Sequence, residues 1–167
     1  CKLAEQFKVR KFIFSSSCTV YGQSKEISVN EVTPLQQPET PYGHSKLLGE
    51  QILEGISQNS YLRVVSLRYF NPIGAHPSGK IGELPNGTPQ NLVPFVSQTA
   101  VGKREVLKIF GSDYPTKDGT AIRDYIHVMD LAEAHVQSIE YQNNNPQIKY
   151  DTFNIGTGKG TTVLELV

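Results

Sequence analysis

The sequence predicts an α/β fold built on a parallel sheet, and three observations carry that prediction. A short apolar run, Lys11-Phe12-Ile13-Phe14, discharges into the small polar residues Ser15, Ser16 and Ser17, as a buried parallel strand does at its carboxyl end. A helical stretch follows from Tyr42 to about Gln58, with Leu47, Leu48, Ile52, Leu53 and Ile56 at helical spacing. A second run rich in β-branched residues, Leu62 to Tyr69, closes a strand-helix-strand unit and implies a right-handed parallel crossover.

The remaining elements follow in chain order. Lys2 to Lys8 reads as the end of an amphipathic helix with Leu3, Ala4 and Phe7 on one face. Between Gly22 and Pro41 the prolines Pro34, Pro38 and Pro41 mark a loop; Thr40 suits a helix cap and Pro41 the first helical position. Asn59-Ser60 ends that helix, and Asn71-Pro72-Ile73-Gly74 breaks the second strand. Ala75 to Pro89 is an excursion rich in Gly and Pro, after which Leu92, Phe95, Val96 and Ala100 give Asn91 to Val101 a helical period.

Val106 to Phe110 is expected as a short strand and Gly111 to Thr120 as a polar loop. Asp130 to Tyr141 is expected as an amphipathic helix with Leu131, Ala134, His135 and Ile139 inward, and Phe153-Asn154-Ile155 as a further strand. Thr162 and Glu165 are spaced as a capping box, and the sequence stops one turn later. The first residue is Cys1, not Met, and both ends read as cut through secondary structure. A segment of a longer protein is therefore expected, organised as residues 1–70, 71–126 and 127–167.

Composition narrows the class. Hydrophobic residues make up 38% and charged residues 19% of 167, without a low-complexity tract, which suits a folded domain. Lys plus Arg and Asp plus Glu are 16 each and dispersed, so no basic stripe favours nucleic acid. No apolar run approaches the roughly 20 residues of a membrane span, and a cytoplasmic location is expected. Cys1 and Cys18 lack CxxC spacing and suit a reducing compartment. His44, His76, His127 and His135 show no metal-ligand spacing, so no metal is expected.

Tyr42-Gly43-His44-Ser45-Lys46 puts a phenol and an ammonium four residues apart on one face of a helix start. A positive charge about 4 Å from a phenol favours the phenolate by roughly 4 kcal/mol at an effective dielectric near 20, and the helix N-terminus pushes the same way. Such a pair can serve as a general base; by itself it can equally be a solvated pair on a helix face. Its position one loop after Ser15-Ser16-Ser17 puts it where a parallel sheet presents its ligand-facing edge, although serines there can also satisfy loose backbone ends. Gly156-Thr157-Gly158-Lys159-Gly160 invites a phosphate-loop reading but lacks the GxGxxG spacing, and a glycine turn is expected.

Three blocks carry a family resemblance: Phe14-Ser15-Ser16-Ser17-Cys18-Thr19-Val20-Tyr21-Gly22, then Pro41 to Lys46, then Leu67-Arg68-Tyr69-Phe70-Asn71-Pro72-Ile73-Gly74-Ala75-His76. They resemble the extended short-chain dehydrogenase/reductase family. Gly87 to Pro94, Ile109 to Tyr114 and Gly119 to Leu131 are similar to its nucleotide-sugar epimerases, in particular those acting on UDP-hexoses. The resemblance covers essentially the whole chain.

The resemblance implies a partial Rossmann-type, doubly wound parallel sheet with part of a smaller substrate-binding subdomain, truncated at both ends. Residues 1–70 would be the C-terminal half of the dinucleotide-binding domain, 71–126 the nucleotide-sugar excursion and 127–167 a return helix and strand with a cut helix. It implies NAD as cofactor, a UDP-sugar as substrate, a homodimer as the full-length protein and a place in galactose metabolism. UDP-glucose and UDP-galactose would be interconverted by transient oxidation at sugar C4 and re-reduction on the opposite face. In that scheme Tyr42 takes the 4-hydroxyl proton, Lys46 bonds the nicotinamide ribose and assists Tyr42, and Ser17 hydrogen-bonds the reacting oxygen. Ser17, Tyr42, Lys46 and Phe70 would face the cofactor. Ser17, Tyr42, Asn71, Asn91, Leu92, Phe110, Arg123 and Tyr125 would face the substrate.

The guanidinium of Arg123 suits a diphosphate because its fork makes paired, charge-assisted bonds; read alone, it suits an ion pair with Asp124 or Asp118. The glycine fingerprint of the family is not among these residues, so the chain by itself is expected neither to hold NAD tightly nor to turn over. Other UDP-sugar epimerases, acting on N-acetylhexosamines or uronates, remain alternatives, as does a non-catalytic module. A 4,6-dehydratase is disfavoured because Ser17 is followed by Cys18, not by the acidic pair its elimination needs.

Overall fold

In the computed structural model, residues 2–24 and 26–167 are described; Cys1 lies outside them. The chain divides into two compact units, residues 1–70 with 131–155 and residues 71–130 with 156–167.

The first unit is organised by a parallel sheet in the order β1 (Lys11–Ser17), β2 (Arg63–Tyr69), β5 (Tyr150–Ile155). Register pairs Ser16 with Arg68 and Leu67 with Phe153. The serines lie inside β1, and the strand ends at Ser17. Ser17 then caps a 3-10 turn, Cys18–Tyr21, its side chain accepting from Thr19 N. Alternation sends Phe14, Ser16, Ser66 and Arg68 to one face and Ser15, Leu67, Tyr69 and Phe153 to the other.

Helix α2 (Pro41–Asn59) covers the first face. Thr40 accepts from Gly43 N at 3.1 Å and Pro41 occupies the first turn, as expected of this start. Leu53, Leu62 and Val64 form the core beneath it, joined by Phe14, Ile56 and Tyr150. The helix approaches β1 at Gly49, where an added Cβ would stand 2.6 Å from Phe14 Cζ.

Helix α4 (Val128–Asn144) serves the second face. Its Tyr141 ring meets Phe153 edge-on at 5.1 Å, and its His135 meets Tyr69 at 5.6 Å. The inward set differs from expectation: Leu131, Ser138 and Gln142 are buried, whereas Ile139 is exposed. Ser138 is tolerated there because its hydroxyl bonds back to Ala134 O. Leu3 in helix α1 (Lys2–Gln6) and Phe7 just after it point outward, at 68% and 73% exposure.

The second unit contains β3 (Asn71–Ile73), parallel to β4 (Ile122–His127), which pairs antiparallel with β6 (Gly160–Thr162). Its helices are α3 (Leu92–Ala100) and α5 (Val163–Leu166), the latter closed by the reciprocal Thr162–Glu165 capping box. The strand expected over residues 106–110 is absent among the described residues. That run finds no ladder partner, and an apolar segment without one has no reason to become a strand.

Candidate active site

The first unit gathers the proton-transfer candidates at the carboxyl ends of its strands. Tyr42 and Lys46 lie one turn apart in α2. Lys46 Nζ donates to Ser15 O at 2.7 Å and stands 5.3 Å from the ring centres of both Tyr42 and Phe14. Tyr42 is 55% exposed, open to a ligand. Ser17 is buried, and its Oγ accepts from Thr19 N at 3.2 Å and from Thr19 Oγ1 at 3.0 Å. In both bonds Ser17 is the acceptor, which leaves its proton to donate elsewhere. Phe70 follows β2 and is anchored by its amide to Ile155 O at 3.1 Å.

Residues that the sequence did not single out complete this cluster. Tyr69 Oη lies 2.6 Å from Ser15 Oγ and 2.7 Å from His135 Nε2. His135 Nδ1 is bonded to Leu131 O at 2.8 Å; a carbonyl only accepts, so that nitrogen carries a proton. Burial holds the Tyr69 phenol above its ordinary value, the Ser15 bond opposes this, and the neighbouring Tyr42 adds to it. The one available signal was adjacency, since Tyr69 precedes Phe70.

The fit to a nicotinamide cofactor can be judged from these donors. A phenol, an ammonium and a serine hydroxyl converge on one strand end, a set suited to the hydroxyls of a nicotinamide ribose. The Gly156–Gly160 turn does not offer a phosphate cradle. Asp124 accepts from Thr157 N at 2.9 Å, Thr157 Oγ1 at 2.7 Å and Gly158 N at 2.8 Å, so those amides already face a carboxylate.

The second unit encloses a cleft of about 350 Å³, within the size range of ligand pockets, about 300–1,000 Å³. Asn71, Asn91, Leu92, Phe110, Arg123 and Tyr125 all line it. Non-local pairing assembles them, since Asn71 stands opposite Tyr125 across β3 and β4. Asn91 occupies the cap position of α3 without a side-chain cap bond, and its Nδ2 donates to Glu83 Oε1 at 2.6 Å. Leu92 and Val93 of the helix start line the cleft and no side-chain cap takes their amides, which suits an anion, while Pro94 brings no N–H and the Glu83 carboxylate lines the same cleft.

Arg123 is exposed, and its Nη1 donates to Ile122 O at 2.7 Å. Neither ion pair considered for it forms among the described residues, because Asp124 holds the glycine turn and Asp118 is engaged by Thr120 and Thr162. Burial raises the Tyr125 phenol above its ordinary value, and the Arg123 charge works against that shift. Phe110, 82% exposed, offers an apolar ring at the cleft. Among the described residues no cluster of His, Cys, Asp or Glu is arranged to hold a metal, and no helix is long and apolar enough to cross a membrane.

The model of the "NAD dependent epimerase/dehydratase family" matches residues 1–156. UDP-glucose 4-epimerase of Bacillus subtilis (strain 168) is 53% identical over 168 residues, covering 100% of this chain and 49% of the relative. The Drosophila melanogaster enzyme of the same name is 49% identical over 160 residues, covering 95% and 46%. The chain thus spans about half the length of the curated relatives it matches. Among solved structures, UDP-glucose 4-epimerase from Bifidobacterium longum in complex with NAD+ and UDP superposes with a TM-score of 0.91 at 46% identity, covering 99% of this chain and 49% of that one. The Stenotrophomonas maltophila enzyme with bound NAD and formylated UDP-arabinopyranose gives 0.93 at 46%, with the same coverage.

Proposed function

The chain belongs to the NAD dependent epimerase/dehydratase family, and on that premise we propose that the full-length protein interconverts UDP-glucose and UDP-galactose. The observation that supports this reading most is the Lys46 ammonium, 5.3 Å from the Tyr42 ring above the carboxyl end of β1. Bound NAD supplies a reversible hydride acceptor for oxidation at sugar C4. Tyr42 takes the proton of the C4 hydroxyl as the C4–H bond breaks, and returns it when the other face of the ketone is reduced. Ser17 donates a hydrogen bond to the reacting oxygen. Lys46 holds the ribose beside Tyr42, and Phe70 packs in the cofactor pocket.

The six cleft residues of the second unit hold the uridine diphosphate: Arg123 and Asn91 on the phosphates, Asn71 and Tyr125 by hydrogen bonds, Leu92 and Phe110 by apolar contact. In the same reading the full-length enzyme is a cytoplasmic homodimer, and Leu48 and Ile52, exposed on α2, supply apolar area for a second copy. The test is turnover of UDP-galactose against UDP-N-acetylgalactosamine and a UDP-uronate by the full-length protein and its Tyr42→Phe variant. Conversion of UDP-galactose that Tyr42→Phe slows by about 10²-fold or more, to a residual rate that can still be measured, is expected. Unimpaired Tyr42→Phe turnover would refute the assigned base, and a preference for either other substrate would move the specificity.

A further inference from the structure

Tyr42, Lys46 and Glu50 recur every fourth residue of α2 and so share one helix face. The first is proposed to take the proton and the second to hold the ribose. The third is 3% exposed, and its carboxylate meets a guanidinium from the central strand. Arg68 Nε donates to Glu50 Oε1 at 3.0 Å and Nη2 to Oε2 at 2.7 Å, a two-pronged pair. Ser16, register partner of Arg68 across β1 and β2, donates to the same Oε1 at 2.5 Å.

The third prong of Arg68, Nη1, donates to Tyr21 Oη at 3.0 Å, and Tyr21 Oη donates to Asn154 Oδ1 at 2.6 Å in β5. Burial opposes the Arg68 charge, but the bonds to Glu50 and Tyr21 and the Glu50 charge outweigh it and hold the guanidinium protonated. One ion pair therefore ties α2, β1, β2, the 3-10 turn that ends at Tyr21, and β5. These elements carry the proposed catalytic groups: α2 holds Tyr42 and Lys46, while Ser17 ends β1 and caps the turn.

A buried ion pair is a poor device for stability, because desolvation offsets its attraction and apolar residues of equal volume do as well. Its geometry is exacting, however. A rotation of α2 by one residue, or a slide by one turn, breaks both prongs at once. An apolar seam would tolerate such repacking.

We propose that the Glu50–Arg68 pair, with Ser16 and Tyr21, is a positioning centre that registers α2 against the sheet and so sets the geometry of Ser17, Tyr42 and Lys46. This rests on the catalytic reading above. Glu50 and Arg68 are positioning residues and act through the groups that touch the sugar and cofactor.

The experiment is a kinetic cycle in the full-length protein with wild type, Glu50→Gln, Tyr42→Phe and the double variant, using UDP-galactose. Because a misplacement of about 1 Å can cost roughly 10²-fold in rate, Glu50→Gln is expected to lower kcat by about tenfold or more with KM little changed. In the Tyr42→Phe background the same change should cost clearly less, since one of the three groups it positions, the proton-accepting phenol, is gone. An unaltered kcat in Glu50→Gln, or an equal loss in both backgrounds, overturns the proposal; the latter is the mark of a merely structural role. Should Glu50→Gln fail to fold, Tyr21→Phe keeps the ion pair and removes only the hydroxyl link. A kcat loss of about threefold, clearly smaller in the Tyr42→Phe background, is then expected, and its absence overturns the proposal equally. Normal turnover by Tyr42→Phe itself sinks the catalytic reading, whereas a strongly slowed Tyr42→Phe beside an unaffected Glu50→Gln sinks only this inference.

Discussion

Lys46 Nζ donates to the Ser15 carbonyl at 2.7 Å, so the ammonium of α2 is pinned to the strand whose last residue is Ser17. The same bond keeps the cation 5.3 Å from the Tyr42 ring. A flexible lysine stem would otherwise leave its charge in solvent.

Removing that cation has a defined consequence. In the full-length protein Lys46→Ala should lower kcat by about 10²-fold, the lower end of what positioned acid–base groups contribute. It should also release NAD during gel filtration, visible as a lower 260-to-280 nm absorbance ratio. Retention of both turnover and cofactor would make Lys46 a surface residue.

Arg123 leads to a different kinetic signature. A diphosphate is held alike in ground and transition states, so Arg123→Ala should raise KM and spare kcat. Truncating a charged partner costs about 2 to 5 kcal/mol when buried, and Arg123 is exposed, so a KM increase of about tenfold is expected. Steady-state epimerisation of UDP-galactose checks this, and an unchanged KM would detach Arg123 from the substrate.

Asp118 makes an acid-stability prediction for the second unit. Bonds from Thr162 and Thr120 hold its carboxyl below its ordinary value of 3.8. A depressed folded value contributes stability above the unfolded value, and that contribution is lost as pH falls through the folded one. Asp118→Asn should therefore melt below wild type at pH 7, with the gap closing below about pH 4. Thermal melts across that range measure it; a gap independent of pH would mean that the carboxylate charge contributes nothing.

Two glycines of α2 should respond oppositely to alanine. At Gly55 an added Cβ meets nothing within 4 Å, whereas at Gly49 it stands 2.6 Å from Phe14 Cζ and 3.1 Å from Cε1. Gly55→Ala should stabilise by about 0.5–1 kcal/mol through helix propensity alone. Gly49→Ala should lose that gain to overpacking, which costs about 1–3 kcal/mol. Equal melting temperatures for the two variants would contradict the close approach of α2 to β1.

How much of this was legible can be judged from particular residues. Thr40-Pro41 announced the start of α2, and Thr162 with Glu165 announced the box that closes α5, because caps act within one turn. The run at residues 106–110 misled because its apolar residues have a strand's composition but no partner. Strands β3, β4 and β6 went unread because each is justified only by its neighbours, Asn71 opposite Tyr125 and Arg123 opposite Thr161.

The site divides along the same line. By itself the sequence determined the parallel α/β class and the one-turn spacing of Tyr42 and Lys46, since helical spacing is a local property of the chain; a common place for Asn71, Asn91, Leu92, Phe110, Arg123 and Tyr125, which line one cleft, was implied only by the family resemblance. Tertiary structure alone decided that Ser15 meets Tyr69 and His135 joins them, across 54 and 66 residues. It also decided that Glu50 finds Arg68 and that Asp124 and Asp118 turn away from Arg123. Desolvation makes the Glu50–Arg68 choice, because a buried polar group must find a partner; the other contacts follow from which groups the packing of the elements brings within reach.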